Sequence, residues 1–163
     1  MAVSAYEVIS TQTLGSAAAS VTFSSIPQTY TDLVLIVNTK TSNNVNVFMR
    51  FNGDTSSNYS DTRLVGDGSS ASSGRLTNQT SFIIISGDPS LNFSTYKVDI
   101  FNYTNATTFK TCLTRSNSAD RVAALVKLWR ATPAAISTIN IRVDTGTFNT
   151  GSTFTLYGIK ASA

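Results

Sequence analysis

The sequence predicts an all-β protein, an antiparallel two-sheet β-sandwich of jelly-roll type that takes up residues 1–163 as a single domain. Three observations carry that expectation. Apolar residues recur at every second position through most of the chain, the rhythm of strands with one face in a core. Turn residues, as in Asn52-Gly53-Asp54 and Thr145-Gly146, separate these runs at the short spacing of sandwiches and barrels. The polar share falls on Ser, Thr and Asn, with Glu7 the only glutamate. Such short side chains compete with a helical backbone for its hydrogen bonds.

The elements follow in order. Tyr6 to Thr13 is the first predicted strand, closed by Leu14-Gly15-Ser16. Ala19 to Phe23 sets Val21 and Phe23 on one face, and a loop containing Pro27 follows. Leu33 to Val37 is apolar throughout, which predicts a central strand covered on both faces. Val45, Val47, Met49 and Phe51 alternate with Asn46, Phe48 and Arg50, so a one-residue slip would put the whole core set into water. The Ser-, Gly- and Asn-rich stretch 55–78 predicts a projecting loop with one short strand near Thr62 to Val65. Phe82 to Ile85 is a further apolar run, ended by Gly87-Asp88-Pro89. Phe93 to Tyr103 groups Tyr96, Val98 and Ile100, and Phe109 to Thr114 groups Phe109, Thr111 and Leu113. Asp120 to Arg130 fits a strand through Val122, Ala124, Val126 and Leu128, and a helix through Val122, Leu125, Val126 and Trp129. The strand is favoured, because its neighbours are strands and no helix cap exists beyond Asp120. Ile139 to Val143 and Thr153 to Ile159 complete the set.

Composition argues against chemistry. The chain has no histidine, which removes the commonest general base, the commonest metal ligand and every Ser-His or Cys-His dyad. Cys112 is the only cysteine, so no intrachain disulfide forms and the thiol has no histidine to activate it. The expectation is a protein that is not an enzyme and carries no cofactor. The net charge of +3 is spread without a Lys or Arg block, which gives no support to a nucleic-acid partner. The N-terminus shows no leader pattern, and no run approaches the ~18 apolar residues of a membrane span. A cytoplasmic site of synthesis and no membrane partner are expected.

Several residues stand out. Asp54, Asp61 and Asp67 share one stretch and could offer oxygen ligands to Ca²⁺, but turn chemistry is the plainer reading. Gly66-Asp67-Gly68-Ser69-Ser70 lacks the Gly-Lys-Ser/Thr of a phosphate-binding loop. Trp129 beside Arg130 is an aromatic-basic pair of the kind enriched at interface hot spots, or else a cover over one end of the core. Phe48, on the polar side of its strand, suggests a second apolar surface for a neighbouring subunit. Arg50, Arg63 and Arg75 flank the long polar stretch, either as solvated charge or as contacts to an acidic partner. Tyr59, Asp61 and Arg63 could form an aromatic and polar platform for a sugar if the stretch folds back.

Several blocks taken together carry a resemblance. They are Tyr6-Glu7-Val8-Ile9-Ser10-Thr11, Ala18 to Leu35, Phe51-Asn52-Gly53-Asp54 with Asn58-Tyr59-Ser60, Leu128-Trp129-Arg130, and Gly151 to Ile159. In this order the chain resembles small virion structural proteins of tailed bacteriophages, cyanophages among them. The resemblance implies a β-sandwich on the virion, usually a homotrimer, either a capsid decoration (cement) protein bound to the major capsid protein or a tail or fibre module. It brings no catalytic residue. The short chain favours a decoration protein; a tail or fibre module that binds host glycans or other tail proteins is the alternative.

Overall fold

The computed structural model describes residues 5–84 and 88–160. Ile85 and Gly87 of the expected strand end and turn, and Met1 to Ser4 of the N-terminus, lie outside the described residues. The chain is all-β, and no helix forms among the described residues. The strands are β1 (Tyr6–Thr13), β2 (Ser20–Phe23), β3 (Asp32–Thr39), β4 (Val47–Phe51), β5 (Tyr59–Gly66) and β6 (Ala71–Gln79), then β7 (Phe82–Ile83), β8 (Ser94–Ile100), β9 (Lys110–Asn117), β10 (Val122–Trp129), β11 (Ile139–Val143) and β12 (Thr153–Ile159).

They form two antiparallel sheets. One has eight strands in the order β1-β12-β3-β8-β9-β10-β5-β6, the other four in the order β2-β11-β4-β7. The half β1-β12-β3-β8 and the four-stranded sheet together make a jelly roll. The chain crosses between the sheets from β1 to β2, β2 to β3 and β3 to β4, returns between β7 and β8, and crosses again at β11 and β12. Two hairpins interrupt this path. β5–β6 is inserted between β4 and β7, and β9–β10 between β8 and β11. They pair with each other through β10 and β5, and β9 attaches them to β8. The result is a four-stranded extension of one sheet.

The jelly-roll half follows the alternation in the sequence. Val21, Phe23, Leu33, Leu35, Val37, Val47, Met49, Phe51, Phe154 and Leu156 are buried between the sheets. β3 is central, between β12 and β8. Its outward residues are covered unequally, with Val34 buried and Ile36 only half-buried, because neighbouring side chains rather than a third layer shield them.

One expectation is corrected. The stretch 55–78 is not a projecting loop, since all but its first few residues and a tight turn form the hairpin β5–β6. Asp67 makes that turn, its carboxylate accepting from Ser69 N at 3.0 Å and Ser70 N at 2.7 Å. Those bonds hold its carboxyl well below the usual range. In β9, Phe109, Thr111 and Leu113 share one side as the spacing predicts, and it is the outer one; Lys110, Cys112, Thr114 and Ser116 enter the core.

At the β1 edge, Gly158 lets the ring of Tyr30 lie directly on the backbone; a Cβ there would fall 2.3 Å from Cγ of Tyr30. Tyr30 Oη donates to Glu7 Oε2 at 3.1 Å, and Lys160 Nζ meets Glu7 Oε1 at 2.6 Å. Gly158→Ala must displace a ring fixed on three sides. We expect a loss of about 1–3 kcal/mol, typical of overpacking, seen as a lower urea midpoint with an unchanged slope.

Candidate functional site

The inserted extension is fixed to the jelly roll by aromatic rings. Tyr59 (β5) and Trp129 (β10) come from the extension, Phe51 (β4) and Phe82 (β7) from the opposite sheet. Tyr59 meets Phe82 edge-on with centroids 4.8 Å apart, and Phe51 meets Trp129 edge-on at 5.5 Å. The polar ends of the two outer rings are satisfied. Tyr59 Oη accepts from Phe51 N at 3.2 Å and donates to the Asp54 carbonyl at 3.1 Å. Burial pushes its phenol up to about 12. Trp129 Nε1 donates to Asp54 Oδ2 at 2.7 Å, and that carboxylate also accepts from Ser56 N and Asn58 Nδ2. Partial burial raises the Asp54 carboxyl, but the bonds from Asn58, Trp129 and Ser56 outweigh it and leave the group below the usual range.

These contacts settle where several predicted residues lie. Tyr59 is fully buried and Trp129 is 4% exposed, so neither offers a surface. Tyr59 and Asp61 cannot form a sugar platform, because alternation along β5 turns both to the inner side with Arg63. Asp54, Asp61 and Asp67 are separated among a cap, the interior and a turn, and no metal-sized group of acids forms among the described residues. Phe48 is half-buried on the outer side of the four-stranded sheet, with the Arg142 guanidinium 5.6 Å from its ring centre. Arg50, on the same side, donates to the Thr80 carbonyl at 3.0 Å. Arg63 lies over Gly74 of β6, where a Cβ would sit 3.0 Å from its Nε. Arg130 donates to Asn78 Oδ1 at 3.0 Å at the rim of the extension.

The inner side of the extension is unusually polar. Lys127 and Asp61 are paired in register across β10 and β5, at 1% and 3% exposure. The Lys127 ammonium donates to the Ile83 carbonyl of β7 and lies 5.6 Å from the centre of the Phe82 ring. Burial pushes its amine down to about 8, although the Asp61 charge pulls it up. Burial raises the Asp61 carboxyl, partly offset by Lys127 and Arg63. Cys112, beside Lys127 on β9, is buried, and desolvation lifts its thiol to about 12. That is the environment of an unreactive structural thiol.

The outer side of the extension is the reverse. Across the sheet, Leu113, Val126, Thr62 and Arg75 stand in one row, and Arg115, Ala124, Leu64 and Ser73 in the next. Leu64, Val122 and Val126 are each about 60% exposed. A hollow of about 440 Å³ lies among Thr62, Arg75, Val126, Leu128 and Arg130, and one of about 510 Å³ among Leu64, Val122, Ala124 and Arg115. The sheet thus turns Leu64, Val122 and Val126 to solvent while Lys110 and Lys127 are buried, an exposed apolar patch of the kind found at contact surfaces. Sequence reading had the signal for this face in the alternation of Val122, Ala124, Val126 and Leu128. Nothing in that alternation says which side of the sheet it occupies. No known protein family and no curated protein matches the chain.

Two outcomes test the interior. Asp54→Ala leaves the buried Trp129 N–H unpaired and should cost about 1–3 kcal/mol, followed through the fluorescence of the only tryptophan. For Lys127, the folded value lies below the ordinary 10.5, so between about pH 8 and that value the unfolded chain holds more protons. Its contribution to stability therefore rises with pH across this window. The unfolding free energy of the wild type should gain on that of Lys127→Met as pH is raised through it. Tyr59 and Tyr96, raised by burial, act alike in both chains; the Cys112 thiol, which the Lys127 charge lowers, is taken out by comparing both in a Cys112→Ala background.

Proposed function

We propose that this protein is a non-catalytic virion structural part, a capsid decoration protein that binds the outside of an assembled shell as a homotrimer and stabilises it. The observation that carries the reading is the outward apolar face of β9, β10 and β5, presented by a sheet whose other side is locked to a jelly-roll core. A part of this kind needs a rigid body and one wide contact surface, and has no need of a reactive centre. The resemblance to small bacteriophage virion proteins supports the same reading. So does the closed character of the interior, where the Cys112 thiol is packed away and the Asp54 carboxylate caps the Trp129 N–H. Aromatic packing between the sheets favours a part that keeps its shape outside a cell.

The glycan-binding alternative loses its candidate residues, since Tyr59 and Asp61 are inside. The test is reconstitution. Purified chain added to shells assembled without it should bind saturably at micromolar concentration and raise the temperature at which the shells open. Sedimentation should give the mass of three chains. Shells that take up none of the protein, or that open at an unchanged temperature, would end this reading.

A further inference from the structure

We infer that the outer face of the β9-β10-β5-β6 extension docks a protein surface with an apolar centre and a rim of carboxylates. The inference rests on the reading of the chain as a docking part, and adds the face used and the chemistry of the partner. The face has an apolar middle, Leu64, Val122, Ala124 and Val126, and a basic rim, Arg75, Arg115 and Arg130. None of the side chains that these four strands turn outward is acidic. On the adjoining strand, Asp99 is taken by Lys97 at 2.5 Å, and Lys97 itself stands opposite Arg115 in register. Arg75 and Arg115 are exposed and have no hydrogen bond or ion pair among the described residues. Guanidinium groups left free around a dry patch lack the counter-charge that a complementary surface supplies.

Charge also selects among occupants. A second copy of the same face would bring only arginines to meet arginines, with no carboxylate from either side. A nucleic acid would satisfy the arginines but offers no apolar surface for Val122, Val126 and Leu64. An acid-rimmed protein surface meets both halves. The rim then sets register and encounter rate, and the centre supplies the buried contact.

The test uses the full chain, isotope-labelled, titrated with a short peptide alternating valine and glutamate. The amide shifts should map to β5, β9 and β10. Arg75→Glu combined with Arg115→Glu should weaken binding at least about tenfold, while Arg142→Glu on the other sheet leaves it unchanged. An unaltered melting temperature shows that the double variant is folded. Equal binding of a valine-lysine peptide, tighter binding of an oligothymidylate, shifts centred elsewhere, or self-association through this face would each overturn the inference. Shell binding separates it from the broader reading. If wild type binds shells and the double variant binds equally well, the face is wrong and the function stands. If wild type ignores shells while the acidic peptide maps as expected, the function is wrong and the face stands.

Discussion

Packing among Tyr59, Trp129, Phe51 and Phe82 is the constraint on which the rest of this molecule depends. An extra pair of hairpins on the edge of a jelly-roll sheet would otherwise flap as a thin, one-sided ribbon, and an isolated hairpin is barely stable in water. The four rings join the extension to the opposite sheet across the sandwich, with edge-on pairs at centroid distances of 4.8 Å (Tyr59–Phe82) and 5.5 Å (Phe51–Trp129). Asp54 makes the arrangement directional, because one short loop satisfies both the indole N–H and the phenol. Ring area supplies the stabilisation, and the hydrogen bonds decide which ring goes where.

Once the extension is held in this way, its two faces have different tasks. The inner face meets only the edge of the smaller sheet, so it cannot be filled by rings alone. Lys127 spans the gap to the Ile83 carbonyl, a link between sheets that an aliphatic side chain could not make. Burying that amine next to Asp61 carries a desolvation penalty, which is visible in the downward shift of the lysine and the upward shift of the acid. Among the described residues no layer lies above the outer face. There the strands carry Val, Ala and Leu at the positions where a solvated sheet would carry Thr, Lys and Glu.

The places where sequence reasoning misses are physically informative. Stretch 55–78 looks like a loop because Ser, Gly and Asn are weak strand formers. It becomes the hairpin β5–β6 because β10 offers a full-length ladder from Val122↔Gly66 to Trp129↔Tyr59, and ladder bonds do not depend on side-chain type. For β9 the spacing groups Phe109, Thr111 and Leu113 but names no side for them. They form the more apolar set, and yet Lys110, Cys112, Thr114 and Ser116 are the residues facing the opposite sheet. Tyr59 and Trp129 look like binding residues for the same reason that they make good core residues, a large apolar body with one polar atom.

Local pattern is enough to establish that the chain is all-β, where most strands lie, and that the jelly-roll half has its core at Val21, Leu33, Leu35, Met49, Phe51 and Leu156. A two-residue period and turn chemistry are local properties, readable wherever one face is buried. Long-range packing is what joins two hairpins distant in sequence into one extension, fixes which of its sides faces the core, and brings Arg75, Arg115 and Arg130 to one face. Alternation states that two sides differ, but it does not name the side that is covered. That assignment comes from what packs opposite, and here the partners lie tens of residues away along the chain.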